Sequence, residues 1–182
     1  MIDIEFWDSM NLPTQELMAR YLKVFSWADQ ARTSASTKIG FYGVVPVRDY
    51  WRAIGGGIGA AAWKAENSLR ASLASEVDVL FPSAYTFYPD VPQWEQFAER
   101  QIEEARRLSK GKRVVLFLWP RYHESNKNLS GDYIGDVFFE RQLQVAQRLA
   151  DGVVVWDKSD KSSCELQSTW RAALARFLAT RP

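Results

Sequence analysis

Two carboxylates stand two residues apart near the start of the chain, Asp3 and Glu5, inside the otherwise apolar run Met1-Ile2-Asp3-Ile4-Glu5-Phe6. Side chains of a strand alternate faces, so Ile2, Ile4 and Phe6 share one face and Asp3 and Glu5 share the other. Two carboxylates facing one space cannot both ionise cheaply, so one of them holds a proton near neutral pH. That proton is what the departing oxygen of a glycosidic bond needs. The competing reading is a solvated strand end that carries charge on its exposed face at little cost.

The elements that must position this pair follow from hydrophobic periodicity. Asn11-Leu12-Pro13-Thr14 supplies helix-start chemistry, and Leu17, Met18, Tyr21, Leu22 and Phe25 recur at helical spacing. Lys38–Val45 reads as a second strand, Pro46–Gly59 as irregular and Ala60–Ser75 as a helix. Glu76–Phe81 is a third strand, ended by Pro82. Asp90 and Pro92 open a helix that Gly111 closes. Arg113–Trp119 is a fourth strand, stopped by Pro120 and followed by a polar loop to Gly135. Asp136 caps a helix bearing Phe139, Leu143, Ala146 and Leu149, and Gly152–Trp156 is a fifth strand. Ser162 with Glu165 makes a capping-box pattern before a last helix carrying Leu166, Trp170, Leu174, Phe177 and Leu178. Apolar strands alternating with amphipathic helices imply an α/β fold, a parallel sheet covered by helices, in one domain spanning 1–182.

Functional residues in such folds sit just past the C-terminal ends of the strands. Beside Asp3 and Glu5, those positions hold Tyr42, Tyr50, Tyr85, Trp119 and Trp156. These are two carboxylates ringed by aromatics, the flat faces that sugar-binding clefts use. Packing is the competing role for each ring. Trp63, Trp94 and Trp170 fall within helices and read as core, as does Trp27. The charged set Glu99, Arg100, Glu103, Glu104, Arg106 and Arg107 reads as a solvated helix surface. Gly55–Ala60 spells G-x-G-x-x-A, but about ten residues separate it from the preceding strand, so the dinucleotide-binding context fails. His123 reads as a surface histidine, with a substrate contact as the alternative. Cys164 is given no role.

Composition narrows the classes further. The 182 residues are 47% hydrophobic, with 23 basic and 22 acidic side chains and a formal net charge of +1. That balance makes no electrostatic case for nucleic acid or an anionic membrane surface. A single cysteine and a single histidine exclude an intrachain disulfide, a cysteine metal cluster and a multi-histidine metal site. No metal or organic cofactor is implied. No stretch approaches a membrane span of ~18 apolar residues, and the N-terminus lacks a basic-then-apolar leader pattern. Localisation is not indicated.

Taken together, these residues resemble the catalytic barrel of the hyaluronidases. Asp3-Ile4-Glu5 looks like that family's Asp-x-Glu catalytic strand. Gly40-Phe41-Tyr42-Gly43, with Pro46 and Tyr50 after it, looks like its G-F-Y-G-F-P strand and following tyrosine. Leu80-Phe81-Pro82-Ser83-Ala84-Tyr85 is similar to its L-Y-P-S-I-Y strand end. Val114–Tyr122 looks like its next apolar strand and aromatic loop, and Ala150-Asp151-Gly152-Val153-Val154-Val155-Trp156 resembles its A-A-G-x-V-L-W ending.

The resemblance implies a glycoside hydrolase that cleaves β-linked N-acetylhexosamine polysaccharide by a substrate-assisted, retaining route. Glu5 would be the general acid. Asp3 would position the substrate's acetamido group, which attacks the anomeric carbon in place of an enzyme nucleophile. Tyr50, Tyr85 and Trp156 would line the sugar subsite. Five strand-helix units fall short of a closed barrel, and 182 residues fall short of the ~250 typical of one. An incomplete (β/α) TIM-barrel-like fold is therefore expected, with two sheet edges to protect. Self-association as a homo-oligomer, or a partner supplying strands, would cover them. A chitinase-like hydrolase and a non-catalytic saccharide-binding or assembly subunit are the alternatives.

Overall fold

The structure, a computed structural model, describes residues 1–4, 7, 12–158 and 168–180. Glu5, Cys164, Leu166 and the Ser162/Glu165 pattern lie outside the described residues. Three parallel strands form a sheet in the order β1 (Val79–Leu80), β2 (Arg113–Leu118) and β3 (Gly152–Val155). Leu80 stands opposite Val114, and Leu116 opposite Val153. The two strands expected ahead of β1 are reduced to single parallel bridges, Ile2 with Phe41 and Tyr42 with Phe81. Their backbone ties are short: Ile2 N–H donates to Gly40 O at 2.9 Å, and Tyr42 N–H to Ile2 O at 3.0 Å. Gly43 N–H donates to Phe81 O at 3.0 Å. Five segments thus lie side by side in chain order.

Gly40 makes the approach of the second segment to β1 achievable. A Cβ there would lie 2.0 Å from Val79 O, where no side chain fits. The sheet's two faces follow the period of two. Leu80, Val114, Leu116 and Leu118 point to the helices, where they join Tyr21, Trp94, Phe139 and Leu143 in the main core. Val79, Phe81, Phe117 and Trp119 point the other way, into a second cluster with Tyr85 that Tyr42 packs against. Each large apolar side chain fully buried in this way stabilises the fold by about 1.5–3 kcal/mol.

The helices that back the sheet are α1 (Thr14–Gln30), α2 (Tyr50–Ile54), α3 (Gly57–Ser68), α4 (Ala71–Glu76), α5 (Val91–Ser109), α6 (Asp136–Leu149) and α7 (Ser168–Ala179). The Asp90 carboxylate caps α5 by accepting from Gln93 N–H at 2.9 Å, and α5 ends at Lys110 in the left-handed region. Asp136 is the first residue of α6 rather than its cap, which is Gly135.

Four further features depart from the sequence pattern. Tyr50–Ile54 is helical, nucleated by Asp49, whose side chain accepts from Arg52 N–H at 2.9 Å. The helix expected over Ala60–Ser75 is two helices, because Arg70 leaves the helical path and turns its guanidinium inward to Val44 O and Glu66. Trp27 is exposed, because it lies about 120° around α1 from buried Tyr21 at 100° per residue. Glu104 is buried rather than solvated, because Arg107 folds over it at 2.6 Å while also donating to Ser68 on α3. The glycine run forms the joint between α2 and α3.

Candidate active site

The face of the sheet away from the helices opens into a cleft of about 920 Å³. That volume suits a small-molecule or oligosaccharide ligand. Asp3, Tyr42, Tyr85, Trp119 and Trp156, all expected at strand ends, line this one cleft. Ile2 and Ile4 pack against the main core while Asp3 is exposed on the cleft side, which is the alternation expected of a strand.

The aromatic wall is built from neighbouring strand ends. The Tyr42 ring packs 4.7 Å from Phe117 and 5.7 Å from Tyr85. Tyr85 stacks on Trp156 at 6.4 Å with an interplanar angle of 17°. Trp119 meets Trp156 edge-on at 5.3 Å. Trp156 is 40% exposed, so its ring is presented to the cleft, whereas Tyr85 and Trp119 are buried supports. Burial raises the pKa of Tyr42 and of Tyr85. The charge of Asp3 raises both further. Both phenols are therefore neutral hydrogen-bonding groups across the working pH range.

Buried polar bonds hold the loops that carry these groups. The loop after the second segment is pinned at Val47. Its N–H donates to Asn67 Oδ1 at 2.8 Å, and its carbonyl accepts from Trp63 Nε1 at 2.8 Å and Gln101 Nε2 at 3.0 Å. The loop after β1 is pinned by Gln142 Nε2, which donates to Thr86 Oγ1 at 2.7 Å, and by Asn126 Nδ2, which donates to Phe87 O at 2.7 Å. Asp157, just past Trp156, gathers three donors: Trp119 Nε1 at 3.2 Å, Arg121 Nε at 2.7 Å and Tyr133 Oη at 3.1 Å. The Arg121 guanidinium also sits 3.8 Å over the Tyr133 ring. This network joins the loop after β2 to the end of β3.

Among the described residues, Tyr50 is the one expected site residue that the structure places elsewhere. It is not part of the cleft wall, because it opens α2 and turns inward onto Phe97 at 5.0 Å and Phe87 at 5.7 Å. Its hydroxyl is buried without a partner among the described residues, and burial with the nearby Asp90 and Tyr88 pushes its pKa up to about 12. Conversely, the cleft includes Arg48, Glu66, Arg70, His123, Glu124 and Lys158, which the strand-end pattern does not single out.

Two of those carboxylates are tied to cations. Glu66 is 2.8 Å from Arg52, and Glu124 pairs with Lys158, which lowers its pKa. His123 is half-buried against Phe87 at 4.7 Å. Its Nδ1 accepts from Ser125 N–H at 3.1 Å, so the proton of the neutral ring sits on Nε2. Burial, reinforced by Arg48, lowers its pKa. The position of His123 in a loop after β2 was the only sequence signal available for it. Among the described residues no group of three or more His, Cys, Asp or Glu side chains could hold a metal ion. No helix among them is long and apolar enough to cross a membrane.

The fold is similar to that of bee venom hyaluronidase. One crystal structure of that enzyme superposes with a TM-score of 0.64 at 16% sequence identity, over 97% of this chain and 70% of the other. A second, in complex with a hyaluronic acid tetramer, superposes with a TM-score of 0.66 at 18% identity, over 91% of this chain and 50% of the other. No family model matches the chain, and no curated protein matches it in sequence. The likeness is one of fold: a hyaluronidase-like arrangement of helices on a parallel sheet.

Proposed function

We propose that the chain is a hyaluronidase-like glycoside hydrolase with a (β/α)-barrel-like fold, acting on β-linked N-acetylhexosamine polysaccharide. The observation that carries this reading is the convergence of Asp3, Tyr42, Tyr85, Trp119 and Trp156 on one cleft. Glu5 donates the proton to the leaving oxygen, and Asp3 orients the acetamido group that attacks the anomeric carbon. Water then opens the resulting ring intermediate, with Glu5 acting as base. Tyr42 offers a neutral hydroxyl to the sugar, Trp156 offers an apolar face, and Tyr85 backs both. The ion pairing of Glu66 and Glu124 supports giving the acid role to the Asp3/Glu5 pair instead. The bound tetramer in the neighbouring structure supports oligosaccharide as the ligand class.

A second reading is a saccharide-binding subunit without turnover. It is supported by the exposed Trp156 ring in the cleft, which holds a sugar face whether or not a carboxylate acts on it. Calorimetry and product analysis with hyaluronan, chondroitin and chitin oligomers separate the readings. Binding with hydrolysis supports the enzyme, binding without hydrolysis supports the binding subunit, and neither refutes both.

A further inference from the structure

We propose that Trp51 and Tyr88 form a second saccharide subsite, outside the cleft, that holds the outer sugars of a chain whose inner sugars fill it. This rests on the saccharide reading above. Trp51 is 57% exposed and Tyr88 is 38% exposed, and their rings stand 5.2 Å apart at 45°. Both lean on Tyr50, Trp51 at 5.1 Å and Tyr88 at 5.3 Å, each nearly edge-on. Tyr50 is itself held by buried Phe97. The two exposed rings are therefore fixed in place, not loose on the surface.

An exposed, preorganised aromatic pair with a polar surround matches a pyranose, which presents an apolar C–H face and a rim of hydroxyls. The surround is present: Asp49 pairs with Arg52 at 2.6 Å, and Asp90 accepts from Gln93 Nε2 at 2.8 Å. The occupant is indicated by continuity with the cleft. Tyr85 in the cleft lies 6.3 Å from His123, and His123 lies 4.7 Å from Phe87. Phe87 lies 5.7 Å from Tyr50, on which the pair rests. Trp51 also follows Arg48, a cleft residue, by three positions. A chain of ring contacts through His123, Phe87 and buried Tyr50 thus links the cleft to the exposed pair. It also gives buried Tyr50 a role: it supports a sugar platform without touching the sugar.

The test is calorimetric titration of hyaluronan tetrasaccharide and decasaccharide into the whole chain and into the variants Trp51→Ala, Tyr88→Ala and Trp156→Ala. Thermal melts confirm folding, and sedimentation reports the oligomeric state. The expected result is that Trp156→Ala weakens both ligands. Trp51→Ala and Tyr88→Ala should weaken only the decasaccharide, by about three- to tenfold for one lost ring face. Should Trp51→Ala misfold, Tyr88→Ala carries the same expectation. Unchanged decasaccharide affinity in the exposed-ring variants overturns the subsite and leaves the cleft reading standing. Equal wild-type affinity for the two ligands does the same. A changed sedimentation coefficient in Trp51→Ala also overturns it, by making the pair a protein interface. If the wild type binds neither ligand, the cleft reading falls, and the subsite with it.

Discussion

Replacing Asp157 with alanine is expected to destabilise the fold by about 3 kcal/mol and to loosen the cleft at the same time. The side chains of Asp157 and Arg121 are 9% and 13% exposed, so neither charge is well hydrated. Alanine leaves the Arg121 cation without its carboxylate and leaves Trp119 Nε1 and Tyr133 Oη without an acceptor. Breaking a buried pair from one side costs about 3–5 kcal/mol, and the residual exposure of Arg121 puts this case at the lower end. For a chain of this length, about 3 kcal/mol corresponds to a fall in Tm of roughly 6–12 °C. Urea unfolding followed by circular dichroism measures it. The double variant Asp157→Ala with Arg121→Met removes both charges and should recover most of the loss, to within about 1 kcal/mol of wild type. A single-variant loss below about 0.5 kcal/mol, or a double variant that merely adds the two single losses, would refute the ion pair as the unit that ties the loop after β2 to β3.

Three further outcomes follow from the same structure. Gly40→Ala places a Cβ 2.0 Å from Val79 O and should cost about 3 kcal/mol or more, read as a lost or strongly lowered thermal transition. Asp90→Ala removes the cap of α5 and should cost about 1 kcal/mol in urea unfolding, since its carboxylate is what satisfies Gln93 N–H. His123 has a folded pKa below its ordinary 6.5, so folding favours the neutral ring. Its contribution to stability is full above pH 6.5 and declines as pH falls from there toward the folded pKa, because the unfolded chain takes up the proton first. As it is the single histidine, its ring proton signal titrates without overlap, and a midpoint at or above 6.5 would contradict this placement.

Much of the fold is legible along the chain because strands and helices have different hydrophobic periods. Val114, Leu116 and Leu118 alternate with Val115 and Phe117, and the two sets go to opposite faces of β2. The short contact at Gly40 is not legible, because the atom that demands a glycine belongs to a segment about forty residues away in sequence. The same holds for Tyr50. Its spacing after Tyr42 looks like a loop tyrosine, but the Asp49 cap starts a helix that turns its ring inward. Arg48, Arg70 and Lys158 enter the cleft through loops whose course is set by distant anchors such as Asn67 and Gln101 on Val47. Strand-end chemistry is visible in sequence; the charges that loops fold over it are not.

The proposal that the chain hydrolyses a glycosidic bond with Glu5 as general acid is tested most directly by one comparison. Initial rates of hyaluronan, chondroitin and chitin oligomer hydrolysis are measured for the wild type and for Glu5→Gln. The expected result is turnover of at least one substrate by the wild type, with a loss of roughly 10²–10⁴-fold in Glu5→Gln, the usual worth of a general acid. Equal rates in the two proteins would contradict it.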